Sequence, residues 1–314
     1  MKSTLKSAAV VAATLISLAA CKKNNDKPAF VRAEDILAKN SIPAQTFTGD
    51  ATTGFTIVGE KGIKIVFPPK ALRGADGNPV SGNVTITLKE ILSKKDVMFS
   101  GVMTESNGQI LESGGELLVK AQKDGKELGI MPDSAIKVEV PKVMNDKDMG
   151  LFVLGERKRD NGGSQQPYQN PNTWLPAPYA PFGNGPNTYS FNLPGFTWVN
   201  CDRFYQDPNP KTTITVSPLF ADNNQVNDLQ VMLVFRNIQT VITLPFNTGI
   251  NKFESYQQSL PIGLQADLVI IGKDSDGYLQ FGTQLITISA NQHIDASIHR
   301  ATQAEVDAFL ATID

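Results

Sequence analysis

Cys201, Asp202, His293 and His299 are the side chains of this chain with the chemistry of a nucleophilic centre. A cysteine nucleophile needs a base within hydrogen-bond reach and a third group to orient that base. Asp202 adjoins Cys201, but no nucleophile motif surrounds the pair, and both histidines fall in a late strand or edge segment. Cys201 therefore reads as a small buried residue beside Trp198. His293-x-Asp295 and His299 have the residue types of a metal centre, yet their spacing matches no zinc pattern. Lys273-Asp274-Ser275-Asp276-Gly277 has the flavour of a calcium loop but lacks the further acids and terminal Glu of one, and a β-turn accounts for it. Glu90, Glu112 and Glu116 would bind a cation only if several oxygens converged. The simpler expectation is that Glu112 pairs locally beside a Gly-rich bend and Glu90 ends a strand. No G-x-S-x-G, H-E-x-x-H, Walker or dinucleotide motif occurs. These residues point to a non-catalytic protein with no cofactor and no metal centre.

A second set of candidates lies between Asp160 and Asn187, a stretch rich in Pro, Asn, Gly and Gln. Tyr168, Trp174 and Tyr179 there form a candidate ligand platform, suited to stacking on sugar rings or on a partner surface. The competing expectation is that these aromatics, with Phe182 and Tyr189, pack a long loop onto its neighbours, because a loop of that length must bury something to stay ordered. Arg203, next to Asp202, is expected to bridge to acids at a domain junction.

The elements that must position these residues are strands. Phe55 and Ile57, then Ile63, Ile65 and Phe67, alternate with polar neighbours around a Gly59-Glu60-Lys61-Gly62 turn. Pro68-Pro69 stops that strand, since neither residue can donate to a ladder. Val84, Ile86 and Leu88 give the clearest two-residue period, and Leu117 and Val119 follow Gly114-Gly115. Ile136, Val138 and Val140 close the set. Further strand runs recur from Phe196 to Ile288, with turns of Asn, Asp, Gly and Pro between them. Thr302-Gln303-Ala304-Glu305 has the form of a capping box before a short helix carrying Val306, Phe309 and Leu310 on one face. The fold expected is all-β: two antiparallel β-sandwich domains in tandem with a short C-terminal helix. The first sandwich is set at residues 47–155, a linker or loop at 156–188, and the second sandwich with its helix at 189–314.

Composition agrees. Of 314 residues 41 % are hydrophobic and 19 % charged, enough for a packed core, and 25 Gly and 19 Pro suit a turn-rich β protein. A net charge of −2 leaves no basic excess for a phosphate backbone, so nucleic acid is not an expected partner. The two cysteines, Cys21 and Cys201, do not make a disulfide scaffold.

The N-terminus reads as an address. Lys2 and Lys6 precede a small, apolar run from Ala8 to Ala20, too short for a comfortable membrane span. Leu18-Ala19-Ala20-Cys21 closes it and resembles the bacterial lipobox, which implies a signal peptide at 1–20 and lipidation of Cys21. Residues 21–46 then read as a flexible tether in which Ala33 to Asn40 form a helical turn or two, with Ile36 and Leu37 docking. The charged start of that tether resembles the surface-export signals of Bacteroidota lipoproteins, though with the single acid Asp26. The run I-x-I-V-F-P-P-x-A-L, D-G-x-P-V-x-G, strand and L-K-E-I, followed by Leu111-Glu112-Ser113-Gly114-Gly115, is similar to the ZU5-type β-sandwich of bacterial lipoproteins. That resemblance covers about a third of the chain and implies an interaction or structural module with no catalytic residues. The combined expectation is a lipid-anchored outer-membrane protein whose partner is an envelope protein or an extracellular glycan.

Overall fold

A computed structural model describes residues 29–144, 148–156, 172–178, 180–221 and 226–313. The candidates Cys21, Tyr168 and Tyr179, and the whole of 1–20, lie outside the described residues. The described residues form an all-β fold of mainly antiparallel sheets with three short helices, α1 (Ala33–Asn40), α2 (Lys94–Ser100) and the C-terminal α3 (Gln303–Leu310). Thr302 and Glu305 form the expected capping box of α3. No helix of the described residues is long and apolar enough to cross a membrane.

Two sheets make the first sandwich. One runs Gln45–Asp50, Asn83–Ile91, Gln109–Lys123, Trp198–Phe204, Gly150–Glu156, Asn172–Pro176; the other runs Phe182–Asn184, Thr188–Asn192, Lys137–Pro141, Lys64–Phe67, Phe55–Val58. Alternation fixes which face is inside. Ile86, Leu88, Leu117, Val119 and Val199 meet Ile65, Phe67, Val138, Val140 and Phe191 in one apolar core.

The second sandwich is one eight-stranded sheet running from Val241–Leu244 through Val226–Phe235, Gln265–Asp274, Leu279–Thr287, His293–Arg300, Thr215–Phe220 and Lys252–Glu254 to Phe246–Asn247. Leu279–Thr287 and His293–Arg300 pair at Gln280↔Arg300 and Phe281↔His299, so the sheet turns a corner there. Its two halves enclose a common core that includes Leu233, Leu268, Val216 and Ile298. One pairing, Thr215–Phe220 with His293–Arg300, is parallel.

Three expected boundaries move. The second sandwich does not begin at residue 189: Thr188–Asn192 pairs with Lys137–Pro141, and Trp198–Phe204 pairs with Gln109–Lys123, so both belong to the first. Residues 156–188 do not separate two domains, because Asn172–Pro176 and Phe182–Asn184 are strands of the first sandwich. Nor is 21–46 a tether throughout. Val31, Ala33, Ile36 and Ile42 are buried, whereas Leu37 stays 54 % exposed. Period-two patterning shows that a strand exists and which face it buries, but not its partner, and that is where the boundaries went wrong.

The two sandwiches share buried apolar contacts. Ile91, Val97, Met98 and Met103 from the first, Met232, Val234, Val269 and Phe281 from the second, α1 and α3 all belong to a single cluster. The turn at 236–240 of the second sandwich seats on the first. Ser113 donates its N–H to the Gln239 carbonyl at 2.9 Å, and the Thr240 hydroxyl donates to the Leu111 carbonyl at 2.7 Å. Thr104 closes the seam by donating its N–H and hydroxyl to the Val241 carbonyl, while its hydroxyl oxygen accepts from the Val241 N–H at 2.8 Å.

Candidate functional site

The outward face of the first sandwich, under that seam, carries an unusual polar patch. Gly114 and Gly115 together oppose Cys201, so one extra residue is inserted between the pairs Asn200↔Glu116 and Asp202↔Ser113. Such a bulge shifts the side-chain alternation by one position. Only glycine fits here: Gly115 has φ +131°, and a Cβ on Gly114 would lie 2.7 Å from the Tyr189 ring and 2.9 Å from the Cys201 carbonyl. The bulge lets Leu117 face the core while Ser113 and Glu116 face outward beside Asn200 and Asp202.

Across four strands the register reads Phe152, Asn200, Glu116, Ile91, a polar pair between two apolar residues. Ser113, Glu116, Asn200 and Asp202 are all buried. The Ser113 hydroxyl donates to Asn200 Oδ1 at 3.0 Å, and Asn200 Nδ2 donates to Asp202 Oδ2 at 2.7 Å. Three carboxylate oxygens in the patch, both of Glu116 and Oδ1 of Asp202, have no hydrogen-bond partner. Burial pushes the Glu116 carboxyl well above the ordinary carboxylate range, and the charges of Asp202 and Asp96 push the same way. Asp202 is raised too, by burial first, with the Ser113 hydroxyl beside it pulling the other way and the charge of Glu112 adding to the rise. Arg203 forms an ion pair with Glu112 on the adjacent strand of its own sheet.

The other candidates separate. Cys201 sits inside the first core, where burial raises its thiol well above the ordinary value, the opposite of an activated nucleophile. His293 is exposed on the second sandwich beside Thr215, Lys252 and Asp295, and His299 pairs with Glu305 of α3 at 3.2 Å. Neither serves Cys201. Glu90 accepts from the Lys61 and Ile63 N–H groups and from Gln45, each at 2.8 Å, so it holds the 59–62 turn. Asp274 is saturated by the N–H groups of Asp276 and Tyr278 and by Gln280 and Arg300. The 273–277 segment is therefore a turn, as expected, with no carboxylate free at Asp274. Trp174 corrects the platform reading. It is fully buried against Leu111, Phe152 and Val102, because its strand joins the sheet edge and turns its ring under the segment after α2.

A cleft of about 600 Å³ lies where α1, α2 and the second sandwich meet. Its walls include Arg32, Leu37, Phe99, Ile271, Lys273 and Asp276. Size and mixed lining are those of a small-ligand or side-chain pocket. Sequence reading missed it because three segments far apart in the chain build it. Asn200 was also passed over, although Gly114-Gly115 in mid-alternation is the signal of a bulge that re-aims neighbouring side chains.

No protein-family model matches the chain, and no curated protein matches it. Among solved structures it aligns weakly with a crystal structure of gamma-CGTase from alkalophilic Bacillus clarkii, at 11% identity and a TM-score of 0.20. That alignment covers 81% of this chain and 41% of the enzyme, so the chain spans well under half of the enzyme's length. Similarity this slight carries no argument about activity. Among the described residues no three His, Cys, Asp or Glu side chains group as a metal centre.

Proposed function

We propose that this chain is a lipid-anchored outer-membrane protein with a structural or protein-interaction role in the cell envelope. The observation that carries the reading is Leu18-Ala19-Ala20-Cys21 directly after a short apolar run with a basic start. The ZU5-like run of residues supports an interaction module. The folded body supports it as well. Phe30 bridges Thr302 and Arg32 bridges Tyr278, which ties residues 30–32 to the second sandwich. A lipidated Cys21 would hold both sandwiches close to the membrane surface through a short span of chain. The inert environments of Cys201 and Asp274 favour binding over catalysis. The cleft beside Leu37 and Phe99 is the proposed contact point for a partner.

Fractionation of cells expressing wild type and Cys21→Ser tests the reading. Wild type is expected in the membrane fraction, resistant to salt and released by detergent. Cys21→Ser is expected to leave that fraction. Equal membrane retention of both would remove the anchor from the account.

A further inference from the structure

Buried carboxylates are normally paired, hydrogen-bonded or bound to an ion. Glu116 breaks that rule twice over, with both oxygens buried and free, and Asp202 Oδ1 adds a third free oxygen. Among the described residues no hydrogen bond or ion pair reaches the Glu116 carboxylate. The nearby cation Arg203 is engaged by Glu112, and the Lys94 ammonium donates to the Phe235 carbonyl at 3.0 Å. Protons on Glu116 and Asp202 would neutralise both groups but would still leave carbonyl oxygens buried without a donor. A cation held between the two carboxylates would instead be met by the free oxygens of both. The neighbouring Asn200 Oδ1 accepts from Ser113, and Ser113 Oγ accepts from the Gly115 N–H at 3.2 Å, so each keeps one further lone pair.

We propose that Glu116 and Asp202, assisted by Asn200 and Ser113, form a calcium site buried at the seam between the two sandwiches. The donor set is all oxygen, which selects a hard cation over zinc or copper. Two carboxylates match a divalent charge. Glu116, with both oxygens free, can chelate in the bidentate manner that calcium accepts. Magnesium keeps several waters in a strict octahedron, whereas calcium accepts an irregular oxygen shell and a bidentate carboxylate. Its role is to lock the 236–240 turn, whose backbone grips Ser113 and Leu111, onto the bulged strand.

The test is elemental analysis and thermal unfolding of the whole mature chain after dialysis against a calcium chelator, then with calcium or magnesium restored. The expected result is one bound calcium per chain and a melting temperature that rises with calcium concentration and less with magnesium. The rise is expected to disappear in Glu116→Gln and in Asp202→Asn, two isosteric changes of which either suffices if the other fails to fold. Absence of a calcium-dependent shift in the wild type would overturn the proposal. So would a full shift retained in both variants, which would place the ion elsewhere.

Discussion

Glu116 stands directly across a strand pair from Asn200, both side chains are completely buried, and neither Glu116 oxygen receives a hydrogen bond from it or from any other group. Natural interiors seldom leave such a group unanswered, since an orphaned buried acceptor costs on the order of 1–3 kcal/mol. The seam between the sandwiches thus combines an apolar cluster with one unanswered pair of buried acids.

In calcium-free buffer the pH dependence of stability reports that tension. The unfolded chain releases the Glu116 proton near the ordinary value of about 4.3, whereas burial, with Asp202 and Asp96, holds the folded value higher. The contribution of this group is therefore full below the unfolded value and is lost as pH rises toward the folded one. Glu116→Gln removes the titration and supplies an amide that can donate to Asp202 Oδ1. It is expected to raise the pH 7 stability by about 1–3 kcal/mol and to lessen the fall in melting temperature as pH rises above the unfolded-state value, read in a series of thermal melts. A variant less stable than wild type in chelator would contradict the assignment.

The bulge is the device that places these groups. Gly115→Ala puts a Cβ at φ +131° and 2.7 Å from Leu92 Cδ2. Loss of at least about 2 kcal/mol is expected, read as a lower urea midpoint. A neutral result would mean that the extra residue can be accommodated another way.

Trp174 is expected to matter for folding and not for sugars. Trp174→Ala empties a fully buried ring site beside Leu111 and Phe152, at a cost of about 3–5 kcal/mol. Glycan-array binding of a folded milder variant, Trp174→Phe, should equal that of wild type. Selective loss of glycan binding in that variant would restore a direct ligand role for this position.

Cys201 should resist thiol reagents in the native protein and react stoichiometrically once unfolded, because its sulfur lies in the first core and burial keeps it a thiol. Native-state labelling at the rate of a free thiol would show that this core opens.

The residues made the strands legible but not their partners. Val84, Ile86 and Leu88 alternate so regularly that their inward face follows from sequence, as does the capping box at Thr302. The partners of Tyr189 and Trp198 do not, since pairing is a long-range choice that period-two patterning leaves open. That is why the boundary drawn at 189 cut through the first sandwich. Cys201 was read correctly as a buried small residue, while Asn200 and Asp202 on either side of it were not recognised as part of a polar patch. Their role depends on a bulge in a different strand and on a turn that arrives from the second sandwich. Trp174 misled for a related reason. Its Pro- and Asn-rich surroundings resemble an exposed loop, yet five residues of that stretch pair with Gly150–Glu156.

The proposed anchor at Cys21 is tested most directly by mass spectrometry of the N-terminal peptide of protein extracted from membranes. The expected peptide begins at Cys21 and carries a thioether-linked diacylglyceryl group with an acylated amine. A peptide that begins elsewhere, or an unmodified Cys21 thiol on membrane-extracted protein, would contradict the lipid anchor and with it the placement of the two sandwiches at the outer membrane.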